Sequence, residues 1–231
     1  MTECLPDAQE NDFMYFPFGP PETDFLPSST KSPQTFNIVR HWMDDCLQNH
    51  PGCNQNIFTK GKGSSGHVKL PTRLIFVGEE ADGQLAPRLV LPRASESTVE
   101  FRYLTLSHSW AITGKSIMLT IANTERFLQA IPLQDLSQTF YDALIITREL
   151  GFQYIWIDSL CIIQDSVEDW EKEALTMSDV YGHSSCNIAA CGVSVLTAAS
   201  CLGIRYIIFL VVSGLIARNQ AEMGVLVLLT Y

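Results

Sequence analysis

Basic residues are scarce in this chain. Its 231 residues include 15 Lys and Arg against 25 Asp and Glu, which gives a formal net charge of -10 at pH 7. Sequence-independent binding to DNA or RNA and docking on anionic lipid both depend on clustered Lys and Arg. The composition therefore argues against nucleic acid and against an anionic membrane surface as partners.

A secretory signal is also missing, because residues 1–7 lack the basic and apolar stretches that such a signal combines. The seven cysteines are odd in number and irregular in spacing. This pattern favours free thiols in a reducing compartment over a disulfide framework. We therefore expect a cytoplasmic protein.

Residues 206–217 form a charge-free apolar run of twelve residues. A membrane-spanning helix needs roughly 18 or more. We expect a buried helix or a pair of strands in this run, with a membrane segment as the alternative.

The cysteine-rich segment lacks a complete metal site. Cys46, His50 and Cys53 follow His41 within a few residues. Structural zinc needs four ligands, usually with C-x2-C pairs, and neither those pairs nor a second half-site is present. We interpret the segment as a helix end and expect no metal.

A phosphate-binding loop is incomplete as well. Gly114-Lys115-Ser116 follows a predicted strand, as the end of such a loop should, but Ser109 occupies the position of the first required glycine. We interpret the segment as a flexible turn.

The chain divides into four segments. Residues 1–35 hold six of the eleven prolines and show no periodicity, which predicts a disordered tail. Residues 36–100 follow as an N-terminal helix and a hairpin. A core over residues 101–192 comes next, and residues 193–231 form an apolar tail of unclear origin.

The core alternates strands with helices, which is typical of an α/β fold with a mostly parallel sheet covered by helices. Residue spacing and turn signals predict its elements and those of the segment before it. In chain order they are a helix over 36–50, strands over 70–77, 88–91 and 101–107, helices over 121–130 and 139–150, a strand over 154–163, a helix over 166–181 and a strand over 185–190.

Polar side chains follow two strands that should be parallel neighbours. Ser107 and His108 end one strand, while Asp158, Cys161 and Gln164 end the other. Ligands bind at such strand ends in open α/β sheets. A Cys161–His108–Asp158 nucleophile site is one interpretation. The other is that Cys161 is an inert packing group in its apolar setting.

The helix after the second strand begins with Ser166 and Asp169, which form a capping box. Its first turns are rich in acidic residues, and negative charge there complements the helix dipole. The alternative is that Glu173 faces the crevice as a catalytic carboxylate.

Several blocks of this core resemble the HET domain of fungal heterokaryon-incompatibility proteins. The resemblance covers about residues 103–192, and its most specific block is Trp156-Ile-Asp-Ser-Leu-Cys-Ile-Ile-Gln164. The other blocks are Tyr103–Ala111, Thr139–Leu144, the remainder of Leu150–Asp165, and Asp169-Trp170 with Met177 and Tyr181.

The resemblance implies an intracellular signalling module in fungal non-self recognition, with programmed cell death as its output. Protein partners or self-association would then be expected. It also implies a fold similar to Toll/interleukin-receptor (TIR) domains, some of which cleave NAD with a glutamate in a Trp-x-x-Glu setting. Trp170-Glu-Lys-Glu173 resembles that motif. An NAD hydrolase with Glu173 as catalyst, and with Ser107, Trp110 and Asp158 in the pocket, is therefore an alternative.

Two departures from the family pattern stand out. Residues 108–111 read His-Ser-Trp-Ala where the family has Tyr-Cys-Trp-Gly, and the sequence after Ala190 continues into the apolar tail. A truncated, inactive remnant of the domain is the third interpretation.

Overall fold

The protein folds around a six-stranded sheet. The computed structural model describes residues 32–49, 70–79, 85–92, 101–108, 117–192 and the backbone of 206–212. Six α-helices and two single 3-10 turns join the strands in this part of the chain. The elements are α1 (Pro33–Asn49), β1 (Leu74–Phe76), β2 (Arg88–Val90), β3 (Tyr103–His108), α2 (Thr124–Gln129), α3 (Gln138–Glu149), β4 (Tyr154–Ile157), α4 (Asp158–Cys161), α5 (Val167–Ala174), α6 (Met177–His183), β5 (Cys186–Gly192) and β6 (Tyr206–Val212). The 3-10 turns are Ile121–Asn123 and Leu133–Asp135.

The strands lie in the order β2-β1-β4-β3-β5-β6. Only the three central strands, β4, β3 and β5, run parallel, and every other pairing is antiparallel. The sheet is therefore mixed, and the prediction of a mostly parallel sheet was wrong. β1 and β2 pair antiparallel, as in the expected hairpin. The helix-to-strand alternation of the core did not reveal the antiparallel pairings of β1 with β4 and of β6 with β5, because antiparallel neighbours need no crossover helix.

Helix α1 confirms the expected N-terminal helix but begins three residues earlier, within the segment predicted to be a tail. Pro33 suits the first helical position, and the hydroxyl of Ser32 accepts a hydrogen bond from the backbone N–H of Thr35 at 3.2 Å. Phe36, Val39 and Met43 share one face and are buried. The remainder of the predicted tail, residues 1–31, lies outside the described residues.

Helix α3 ends as predicted and begins differently. Gly151 follows its last turn with φ of 82°, a conformation that glycine adopts without strain. Its N-cap is Ser137, whose hydroxyl accepts from the N–H of Phe140 at 3.3 Å. Thr139, where the predicted helix began, already lies inside the helix.

The strand expected over 154–163 stops at Ile157, and the single helical turn α4 follows it. The carboxylate of Asp158 accepts from the backbone N–H of Ser159 at 2.6 Å, which turns the chain away from the sheet. The apolar residues after this point are buried by tertiary packing, not by strand pairing. Apolarity alone cannot distinguish these two causes.

The helix expected over 166–181 is two helices, α5 and α6, separated near Leu175. Half of the predicted capping box is present: the hydroxyl of Ser166 accepts from the N–H of Asp169 at 3.2 Å. The N–H of Ser166 donates to the carbonyl of Ile163 instead of the Asp169 carboxylate. The hydroxyl of Thr176 donates to the carbonyl of Glu173 at 3.0 Å. This bond satisfies a carbonyl where α5 ends.

Part of the apolar tail completes the sheet. Residues 206–212 form β6, which pairs antiparallel with the whole of β5, so this part of the expected helix or strand pair is a strand. Among the described residues, no helix combines the length and the apolar character needed to cross a membrane.

Candidate functional site

The parallel strands β3 and β4 bring His108 and Asp158 together where both strands leave the sheet. Leu106 and Ile157 are register partners, so the residues that follow them meet at one edge. His108 Nε2 lies 3.0 Å from Asp158 Oδ1, and both side chains are mostly buried. The imidazole also makes an edge-to-face contact with Phe140, with ring centroids 4.9 Å apart. The pair holds the imidazole in a fixed orientation, as a proton donor or acceptor requires.

Ser107, the other predicted pocket residue on β3, joins a second polar group. Its hydroxyl donates to Asn187 Oδ1 at 3.3 Å, and the hydroxyl of Thr105 reaches the same oxygen at 3.0 Å. Adjacent strand residues point to opposite faces of the sheet. The side chains of Ser107 and His108 therefore lie on opposite faces. Asn187 was not predicted as part of this group, although an amide within an apolar strand was a usable signal.

Tyr181 lies beside the Ser107 group. Its hydroxyl donates to the carbonyl of Leu106 at 3.4 Å, and its ring meets Trp156 edge to face. Burial raises the pKa of Tyr181, a hydrogen bond with Ser107 lowers it, and the charge of Asp158 raises it further. The phenol is therefore neutral at physiological pH, and it lies beside Ser107.

Cys161 does not complete a nucleophile site. It is fully buried, and burial raises the pKa of its thiol from 9.0 to about 12, so the reactive thiolate is absent at neutral pH. Gln164 is a structural residue in this loop, because its Nε2 donates to the carbonyls of Asp158 and Ile162 at 3.2 and 3.0 Å. Trp110, the remaining pocket residue predicted from the sequence, lies outside the described residues.

Glu173 lies in a different cluster, formed with Arg73 and Asp169. Both terminal nitrogens of Arg73 bind the carboxylate of Asp169, and one of them also donates to the carbonyl of Cys161 at 2.8 Å. Asp169 accepts the N–H of Ile163 at 2.8 Å as well. This cluster fastens α5 to the segment before β1 and to the loop that follows α4.

The carboxylate of Glu173 faces Arg73 from one turn further along α5. Its Oε1 lies 3.9 Å from Arg73 Nη1, and the side chain is 2% exposed. This oxygen has no hydrogen-bond donor within the described residues. Glu173 is thus an enclosed partner of a buried arginine, and the structure does not bring it to an open crevice.

The part of the chain that the structure describes holds no cluster of three or more His, Cys, Asp or Glu able to bind a metal ion. Within the candidate metal segment, His50 and Cys53 lie outside the described residues, as do Gly114, Lys115 and Ser116 of the incomplete phosphate loop.

These observations define a class of protein: a mixed α/β domain with three central parallel strands and a mostly buried polar cluster at their carboxyl ends. The family model for the heterokaryon incompatibility protein (HET) matches residues 103–210, from the first residue of β3 into β6. The chain therefore contains a HET domain over these residues. The comparison with curated proteins and the comparison with solved structures each gave no match.

Proposed function

We propose that this protein is a cytoplasmic signalling module of fungal non-self recognition whose output is programmed cell death. The observation that carries the proposal is the HET family match over residues 103–210. In the proposed mechanism the domain acts by contact with protein partners or with further copies of itself. The chain does not need a catalytic step for this role.

The outer face of α5 supports a role in protein contact. Val167, Trp170 and Leu175 are 74%, 55% and 85% exposed. Val167 and Trp170 are three residues apart and share a helix face, and Leu175 follows directly at the helix end. Single exposed apolar residues are ordinary, and contiguous apolar patches mark binding surfaces. Val167 and Trp170 are neighbours on this helix, and Leu175 is the C-cap residue beyond them. We call these three residues the α5 face.

The inner side of the same helix is held rigidly. Asp169 and Glu173, four residues apart, both face Arg73. The α5 face is therefore presented on a fixed element, which lowers the entropy lost when a partner binds. Glu168 and Glu171 are exposed beside it, so we expect the partner surface to combine apolar with basic residues.

The test is regulated expression in filamentous fungal cells, with dye uptake as the measure of death. We expect the wild-type chain to kill and the W170A/L175A double variant to lose most of that effect while remaining folded. Ile121, 64% exposed on a different element, supplies the matched control I121A, which should kill like the wild type. A folded wild-type chain that leaves the cells viable would refute the proposal.

Cleavage of NAD in a TIR-like fold is the competing proposal, with Glu173 as catalyst. The enclosure of this carboxylate against Arg73 weighs against it, since a catalytic carboxylate must reach its substrate. The assay is nicotinamide release from NAD by purified wild type and E173Q. Release by the wild type that is lost in a folded E173Q would support the enzyme. A folded chain inactive in both assays would support the remnant.

A further inference from the structure

A small pocket lies where the N-terminal helix α1 meets the carboxyl end of α3. Its volume is about 180 Å³, and Arg40, Arg148, Glu149 and Gly151 line it. Arg40 closes one side, because its Nε donates to the carbonyl of Glu149 at 2.9 Å and its Nη1 to Asn37 Oδ1 at 2.6 Å. These bonds fix the Arg40 guanidinium at the pocket.

The second guanidinium has an unsatisfied donor. Arg148 Nη1 is buried and has no hydrogen-bond partner within the described residues. Leaving a buried donor of this kind unpaired destabilises the folded state, and more strongly when the group is charged. Within the same residues, neither Arg148 nor Arg40 forms an ion pair with a carboxylate.

Carboxylates are not in short supply, since Asp and Glu outnumber Lys and Arg by 25 to 15. Two arginines without a carboxylate partner at one pocket are therefore unexpected in this chain. An anion in the pocket would neutralise part of this charge. Glu149 opposes such a ligand by charge repulsion, which makes it a useful probe.

We propose that this pocket binds a small oxyanion, a phosphate or carboxylate group, held by Arg148 and Arg40. Guanidinium donors suit the paired oxygens of such groups. Pockets for drug-sized ligands usually measure about 300–1,000 Å³, so this one fits only a small anion or the anionic tip of a larger molecule. Arg40 lies on α1, outside the matched family region, so the bound anion would link α1 to the HET domain.

The experiment is an NMR titration of the full chain at constant ionic strength, with the amide of Gly151 as reporter. Inorganic phosphate and acetate are titrated separately against a chloride baseline, and the two arms distinguish phosphate from carboxylate. We expect a saturable shift with at least one of them. R148Q and R40Q should each weaken binding at least about tenfold. The exposed-arginine control R126Q should bind like the wild type.

Two further variants keep the test decisive if R148Q fails to fold. E149Q should bind severalfold more tightly, because a repulsive charge is removed. R148K retains the positive charge but loses the planar guanidinium with its paired N–H donors, so it should bind the anion more weakly than the wild type. The proposal is overturned if neither anion gives a saturable shift, or if the shift is the same in R148Q, R148K and E149Q. It stands independently of the proposed signalling function.

Discussion

His108 Nε2 and Asp158 Oδ1 lie 3.0 Å apart at the point where two parallel strands leave the sheet. Fifty positions separate these residues in the chain. The parallel register of β3 and β4 brings them together, and the one-turn helix α4 directs the carboxylate back towards the imidazole. The pair is the centre of the polar cluster described above.

Replacing Asp158 by Asn should lower the free energy of unfolding by about 1–2 kcal/mol, because a mostly buried hydrogen-bonded partner of His108 loses its charge. Urea unfolding at neutral pH measures the change. The control is D135N, since Asp135 pairs with Arg126 on the surface, where ion pairs contribute less than about 1 kcal/mol. Equal effects of the two substitutions would contradict a stabilising role for the His108–Asp158 pair.

Replacing Arg73 by Met should be far more damaging, at about 3–5 kcal/mol, because two carboxylates are left buried without their cation. The same substitution at the exposed Arg126 should cost less than about 1 kcal/mol. The comparison is made by chemical unfolding.

Coupling within the Arg73 cluster can be measured separately. The double variant R73M/D169N should be less destabilised than the sum of its single variants, because contacting charges do not act additively. An additive result would mean that Arg73 and Asp169 contribute independently.

Stability should fall as the pH rises above the ordinary pKa of a thiol. Burial raises the pKa of Cys161 from 9.0 to about 12, so between these values the folded state binds a proton that the unfolded state has released. Unfolding is then favoured by rising pH, by about 1 kcal/mol between about pH 8 and about pH 10. Urea unfolding at several pH values measures the slope, and C161A should show a shallower one.

Thiol labelling provides an independent check on Cys161. In the folded protein at about pH 8 it should resist alkylation, because thiolate is the reactive form and burial suppresses it. After denaturation the same residue should react readily. Mass spectrometry of the peptides identifies the labelled position, and rapid modification of Cys161 in the folded chain would contradict the structure.

Gly151 and Gly182 form a matched pair, because a Cβ added to either would meet no atom within 4 Å. Gly151 has a φ of 82°, so G151A should destabilise the protein by about 1–2 kcal/mol through backbone strain. Gly182 lies within α6, and G182A should stabilise it by about 0.4–1 kcal/mol. Thermal unfolding distinguishes the two, and shifts of the same sign would contradict this account.

Part of the candidate site could be predicted from the sequence. Ser107, His108 and Asp158 follow apolar runs of strand character, and the alternating pattern made those strands parallel neighbours. Tyr181 could not be placed beside them, because its position depends on how α6 packs against the sheet. Asn187 joins them through the pairing of β5 with β3. The ion-pair partner of Glu173 could not be predicted either, because Arg73 is about a hundred positions away in the chain and local patterns do not record such contacts.

By itself, the sequence determined the local elements of this protein. Three local features act through neighbours within one or two turns, so a linear pattern encodes them: the Ser166 N-cap, the helical spacing of Phe36, Val39 and Met43, and Gly151 after α3. Only the tertiary structure decided where β4 ends, that β1 and β6 pair antiparallel with β4 and β5, and that Arg73 encloses Glu173. Those features depend on contacts between segments that are distant in the chain. The free energy of such contacts cannot be inferred from a local sequence pattern.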